Sequence, residues 1–159
     1  MAYRYDHVDH YRVAGRQRLE DARKLMAKAK GESEADARRH LRAAAYLAGY
    51  AVECALKVYI AERAGCGRFA EACAARESSG LRPHDFAGRQ GHNLALLLSA
   101  TDLEGLADWV AKCRRAFMRV ATEWSVDWRY CRKELGRAYT DELVGAAKQV
   151  SEWVGRQTP

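Results

Sequence analysis

Apolar or small residues at Val8, Tyr11, Gly15, Leu19, Ala22, Met26 and Ala29 recur in steps of three and four, with charged residues between them. Steps of that size return to one side of a helix, so the spacing predicts a first helix with a single buried face. Gly31 breaks the run. Ser33 with Asp36 then supplies a capping pair for a second helix reaching about Ala64, closed by Gly65 and Gly67. Within it, Ala43 to Val52 carries no charge on any face, which is what a helix surrounded by partners looks like; this is the expected central helix. Its Ala44, Ala48, Gly49 and Ala51 let neighbouring backbones approach, while Leu47, Val52, Leu56 and Ile60 fill the space that remains.

From about 65 to 91 the periodicity fades and Gly65, Gly67, Gly80, Pro83, Gly88 and Gly91 punctuate the chain, predicting a Gly-rich loop with one short helix near Phe69 to Arg76. Leu94, Leu97 and Leu98 mark another short helix. Thr101-Asp-Leu-Glu104 is a capping box, predicting a fourth helix with Leu103, Leu106, Val110, Cys113, Phe117, Val120 and Trp124 inward. A last helix carries Tyr139, Leu143, Ala146, Val150 and Trp153 or Val154 inward, with Thr140, Asp141 and Glu142 in its first turn. Neither strand-like alternation nor an internal repeat is visible. The pattern predicts one all-α domain over residues 1–159, an antiparallel bundle of four to five helices.

Composition strengthens this reading. Only two prolines are present, Pro83 and Pro159, and alanine and arginine, both strong helix formers, dominate. The longest uncharged run falls far short of the ~18–20 residues of a membrane span, and the N-terminus lacks the apolar stretch of a secretory signal. A cytoplasmic protein without membrane association is expected. The 5 cysteines include no CxxC and suit a reducing compartment; Cys54 and Cys113 fall on apolar faces as small buried hydrophobes.

The net charge of +6 is concentrated in Lys112 to Arg137, which holds eight basic and three acidic residues interleaved with Phe117, Trp124, Trp128 and Tyr130. Arginine matches phosphate geometry and exposed rings stack on unpaired bases, so this is the candidate nucleic-acid surface. Arg119, Arg129 and Arg132 are the expected phosphate contacts, with Tyr130 or Trp128 stacking. The competing reading is a merely solvated basic face, since Phe117 and Trp124 already belong to the buried stripe. His7 and His10 with Asp6 and Asp9 do not make a metal site, because no second cluster completes the ligand set. No Walker loop, GxGxxG or GxSxG occurs, and neither metal nor cofactor is expected.

Three elements in order carry a resemblance. The segment Ala44 to Ile60, with Tyr50, then Ala51-x-Glu53-x-x-Leu56-Lys57, resembles the second helix of HEPN domains. Gly91-His-Asn-Leu94 resembles the family's His-Asp/Asn-Leu helix start, and Trp128-Arg-Tyr130 its Arg-Tyr element. The resemblance covers roughly residues 5 to 155. It implies a helical bundle that often forms homodimers and acts in toxin–antitoxin, defence or RNA-processing systems, frequently beside a nucleotidyltransferase-type partner.

Active members of that family are metal-independent RNases whose signature is an arginine followed after four to six residues by histidine in the C-terminal half. Here no histidine follows His92, so Arg129 lacks that partner; Arg4 with His10 matches formally but at a frequency expected by chance. The expectation is therefore an RNA- or nucleotide-binding protein without the family's usual RNase activity. The alternatives are a non-catalytic dimeric module serving a partner enzyme, and an atypical endoribonuclease. Catalytic candidates are Arg129, His92 and Glu53. Glu53 and Lys57, at i and i+4, read either as an ion pair where the central helix meets solvent or as part of a polar cleft shared with His92 and Arg129. His92, at a helix start, reads as a capping or packing residue before a catalytic one.

Overall fold

The computed structural model describes residues 7–75, 92–129 and 134–158. The helices are α1 (Val8–Lys28), α2 (Glu34–Arg63), α3 (Phe69–Ala75), α4 (Leu94–Ser99), α5 (Trp109–Lys112), α6 (Arg114–Glu123) and α7 (Arg137–Gln157). Short 3-10 turns lie at Leu103–Gly105 and Val126–Arg129. The fold is all-α, with no strand among the described residues beyond an isolated bridge between His7 and Arg68.

α2 is the axis, packing against α1, α3, α4, α7 and the Val126–Arg129 turn. Ser33 caps its start by accepting from the Asp36 amide, and Gly65, at φ 66°, takes the left-handed conformation that ends it. α1 returns antiparallel to α2: the Val8 amide donates to the Gly67 carbonyl at 2.9 Å, Arg12 pairs with Glu62, and a β-carbon on Gly15 would sit 3.1 Å from that of Cys54. By length and composition α2 would also suffice to cross a membrane, but 72% of its most apolar window is buried inside the protein. Its apolarity serves internal packing.

α7 starts where α1 ends, with Arg137 donating to the Met26 carbonyl at 3.2 Å. It runs antiparallel to α6: Arg119 pairs with Glu142 at 2.6 Å, Gln149 donates to the Lys112 carbonyl at 2.6 Å, and the Trp153 indole donates to Asp108 at 3.3 Å. Leu143, Ala146, Val150, Trp153 and Val154 are buried, as their spacing predicted. α7 begins at Arg137, so Thr140 lies a turn further in, its hydroxyl donating to the Gly136 carbonyl.

One predicted element is corrected. The continuous helix from Leu103 to Trp124 is a 3-10 turn, α5 and α6, with a break at Cys113 (φ −133°). Thr101 accepts from the Leu103 amide at 3.3 Å and opens only the 3-10 turn. Ahead of the break the inward residue is Trp109 rather than its neighbour Val110, while Cys113, Phe117, Val120 and Trp124 stay inward. Trp109 is buried against Phe117 and Trp153, with ring centroids at 5.7 and 5.4 Å, while Val110 is 65% exposed. Burying the larger Trp109 ring removes more apolar area from water than burying Val110 would.

Candidate functional site

The site is built on one stripe of α2. Tyr46, Tyr50, Glu53 and Lys57 are spaced 4, 3 and 4 residues apart and therefore share a side of the helix. Glu53 is 0% exposed, which corrects the expectation that this helix meets solvent there. A buried carboxylate requires partners for both oxygens, and both have them. Oε1 accepts from the Lys57 ammonium at 2.7 Å, and Oε2 lies 2.8 Å from His92 Nδ1.

Lys57 is itself buried, and its ammonium stands 5.3 Å from the centroids of both Tyr11 and Phe69. Two ring faces and one carboxylate thus replace the water an ammonium would otherwise bind. α1 contributes Tyr11 and α3 contributes Phe69, so the charge pair ties three helices together.

His92 precedes α4, but it is not the cap. Asn93 is, accepting from the Leu96 amide at 3.1 Å. That frees the imidazole to turn to Glu53, with 28% of its side chain exposed. An ionised carboxylate only accepts, so Nδ1 donates, and Nε2 is the nitrogen left for a ligand. The imidazole lines a cleft of about 290 Å³, together with Ala121, Trp124, Ser125 and Asp127.

Aromatic rings extend the site along α2. Tyr50 and His92 have centroids 6.2 Å apart, and Tyr46 stacks on Trp124 at 6.3 Å with 29° between planes. The Trp124 indole donates to the Tyr46 carbonyl at 2.9 Å, fixing the end of α6 to α2. Burial, then the neighbouring Glu53, pushes the Tyr50 phenol up to about 12, and the same two causes push the Cys54 thiol up to about 12. Neither is a nucleophile near neutrality.

The basic stretch is assembled differently from its sequence reading. Arg119 is engaged by Glu142 and lies 5.8 Å from the Tyr139 ring, and Lys112 pairs with Asp108 at 3.2 Å. Arg114 and Arg115 are exposed and make no ion pair among the described residues. Trp128 is buried and presents no face for stacking. Arg129 ends the Val126–Arg129 turn that borders the cleft; Tyr130, Arg132 and the Arg129 side chain lie outside the described part of the molecule.

Of the catalytic candidates, Glu53 and His92 are therefore in contact. The half-exposed rings of Tyr46 and Tyr50 and the hydroxyl of Ser125 were missed by the sequence reading. The 4, 3, 4 spacing from Tyr46 to Lys57 was a visible signal for the first two; Ser125 had none. No cluster of His, Cys, Asp or Glu among the described residues has the makings of a metal site. Set against known protein families, curated proteins and solved structures, the chain matches none of them.

Proposed function

We propose that the chain is a HEPN-like RNA- or nucleotide-binding protein, an antiparallel bundle of four to five helices lacking the family's usual RNase activity. In this reading it acts in the cytoplasm within a toxin–antitoxin, defence or RNA-processing system, as a homodimer beside a nucleotidyltransferase-type partner. The supporting observation is the contact of Glu53 with His92, at 2.8 Å, beside a turn that ends in Arg129. The His92–Leu94 segment and the turn that ends in Arg129 border one cleft, and Glu53 of α2 is linked to it through His92.

The test is labelled single-stranded RNA titrated across salt concentrations and scored for binding and cleavage. A phosphate-contacting surface loses affinity steeply with salt, and Arg119→Ala or Arg129→Ala flattens that slope by about one unit each. No binding at low salt overturns the reading, and cleavage transfers it to the atypical endoribonuclease.

A second reading, the dimeric interaction module, draws support from Val110 and Met118, which are 65% and 50% exposed on the α5–α6 segment. Apolar side chains left in solvent in this way suit a protein contact. A solution mass equal to that of a monomer at micromolar concentration overturns it.

A further inference from the structure

We propose that the outward side of α6, where Arg114 and Arg115 flank Met118, is a docking face for an acidic, amphipathic helix of another protein. This names the partner chemistry for the interaction-module reading and rests on it.

Spacing builds the face. Arg114 and Met118 are four residues apart and Arg115 and Met118 three, so they share one side of α6, and all three are exposed. Met118 is 50% exposed, and Val110, on α5 just ahead of the break at Cys113, is 65% exposed. Ala116, Phe117 and Val120 supply the buried side of the same helix. α6 thus fills the core with one set of apolar residues and leaves a further one in solvent beside two cations.

Charge selects the occupant. Arg114 and Arg115 make no ion pair among the described residues. Three carboxylates on or linked to this segment are committed elsewhere: Asp108 pairs with Lys112 and accepts from the Trp153 indole, Glu123 accepts from Tyr139, and Glu142 pairs with Arg119. Guanidinium groups without a counter-charge attract carboxylates and hold them through two parallel hydrogen bonds. A second copy docking through the same face would repeat each contact about a two-fold axis and set these arginines against their own copies. A nucleic-acid strand brings phosphates but no surface to cover Met118 and Val110, and the rings of this segment that could stack on bases, Trp109, Phe117 and Trp124, are buried. An acidic amphipathic helix meets both needs, with apolar side chains against Met118 and carboxylates against the arginines. α6 has 10 residues, about 15 Å at the helical rise, which three turns of a partner helix would cover.

The probe is a fluorescein-labelled, helix-stapled peptide of about 12 residues, with leucine in an i, i+3, i+4 stripe flanked by glutamate; a twin carries lysine in place of every glutamate. The full chain is labelled with 13C-methyl methionine, which separates face from core because Met118 is exposed and Met26 is buried. The expected result is a saturable shift of the Met118 methyl with the glutamate peptide, an unmoved Met26 methyl, and no shift with the lysine twin. Arg114→Glu combined with Arg115→Glu weakens the glutamate peptide by about 10-fold and confers binding of the lysine twin, a reversal that loss of folding does not produce. Glutamate in the first turn of α6 suits the helix dipole, so the double variant keeps the fold.

No Met118 shift with the glutamate peptide overturns the proposal. So does a Met118 shift obtained only with single-stranded RNA, which gives the face to nucleic acid, or only on raising the protein concentration, which gives it to a second copy. A monomeric mass with peptide binding intact overturns the dimeric reading and leaves the docking face standing; a dimer whose Met118 ignores the peptide does the reverse. Should the double variant fail to fold, judged by its melt, the Met118 methyl in the unsubstituted protein decides alone.

Discussion

The indole of Trp124 occupies the space that a β-carbon on Gly49 would need, with ring atoms 2.2 Å from that position. The small residue in the middle of α2 is therefore the seat of Trp124, the residue that caps the end of α6. Gly49→Ala adds helix propensity worth about 1 kcal/mol but must displace a buried ring held to the Tyr46 carbonyl. Overpacking of this kind costs about 1–3 kcal/mol, so the net expectation is a lower melting temperature and a changed tryptophan emission. An unchanged melt contradicts the close approach.

The Glu53–Lys57 pair predicts an asymmetric response. Lys57→Met leaves the fully buried Glu53 with His92 as its remaining partner among the described residues, and breaking a buried pair from one side costs about 3–5 kcal/mol. Glu53→Leu combined with Lys57→Met removes both charges together and recovers most of that loss. Urea unfolding of the two variants checks the order; a double variant less stable than Lys57→Met alone contradicts it.

Alkaline pH weakens the fold. Tyr50 titrates at about 12 against an ordinary 10.0, and Cys54 and Cys113 at about 12 against 9.0, burial being the first cause in each. For groups raised on folding the native state holds more protons between the two values, so stability is full below the unfolded value and falls as pH rises through the folded one. The urea midpoint should decline from about pH 9 upward. Tyr50→Phe should make that decline shallower above pH 10 while changing little at pH 7, because Tyr50 makes no hydrogen bond among the described residues. An identical slope in the variant contradicts the assignment.

Cysteine reactivity follows the same burial. Cys54, Cys73 and Cys113 are buried, and Cys66 is partly exposed. Thiolates react and buried neutral thiols do not, so iodoacetamide at pH 7.5 should modify Cys66 first among these four. Peptide mapping after short exposure checks this, and early modification of Cys54 would contradict its packing against Gly15.

Much of the fold was legible in the sequence because the relevant physics is local. The three-and-four spacing of Val8 to Ala29, the Ser33–Asp36 cap, Gly65 and the apolar face from Leu143 to Val154 each report on neighbours within two turns, and helix formation depends on little else. The helix from Leu103 to Trp124 misled because spacing alone does not show that Trp109 rather than Val110 faces inward. That choice is set by how Trp109 packs against Phe117 and Trp153, residues that lie on α6 and α7.

For the site, the sequence determined the ingredients: a glutamate and a lysine one turn apart on an otherwise apolar helix, a histidine before a capped turn, and a concentration of positive charge after Lys112. Only the tertiary structure decided their arrangement. It buried Glu53 completely, gave His92 to it across 39 residues of chain, enclosed Lys57 between Tyr11 and Phe69, and placed Ser125 in the wall of the same cleft as the imidazole. A buried charge must find its partners wherever packing delivers them, and packing is a property of all the helices together.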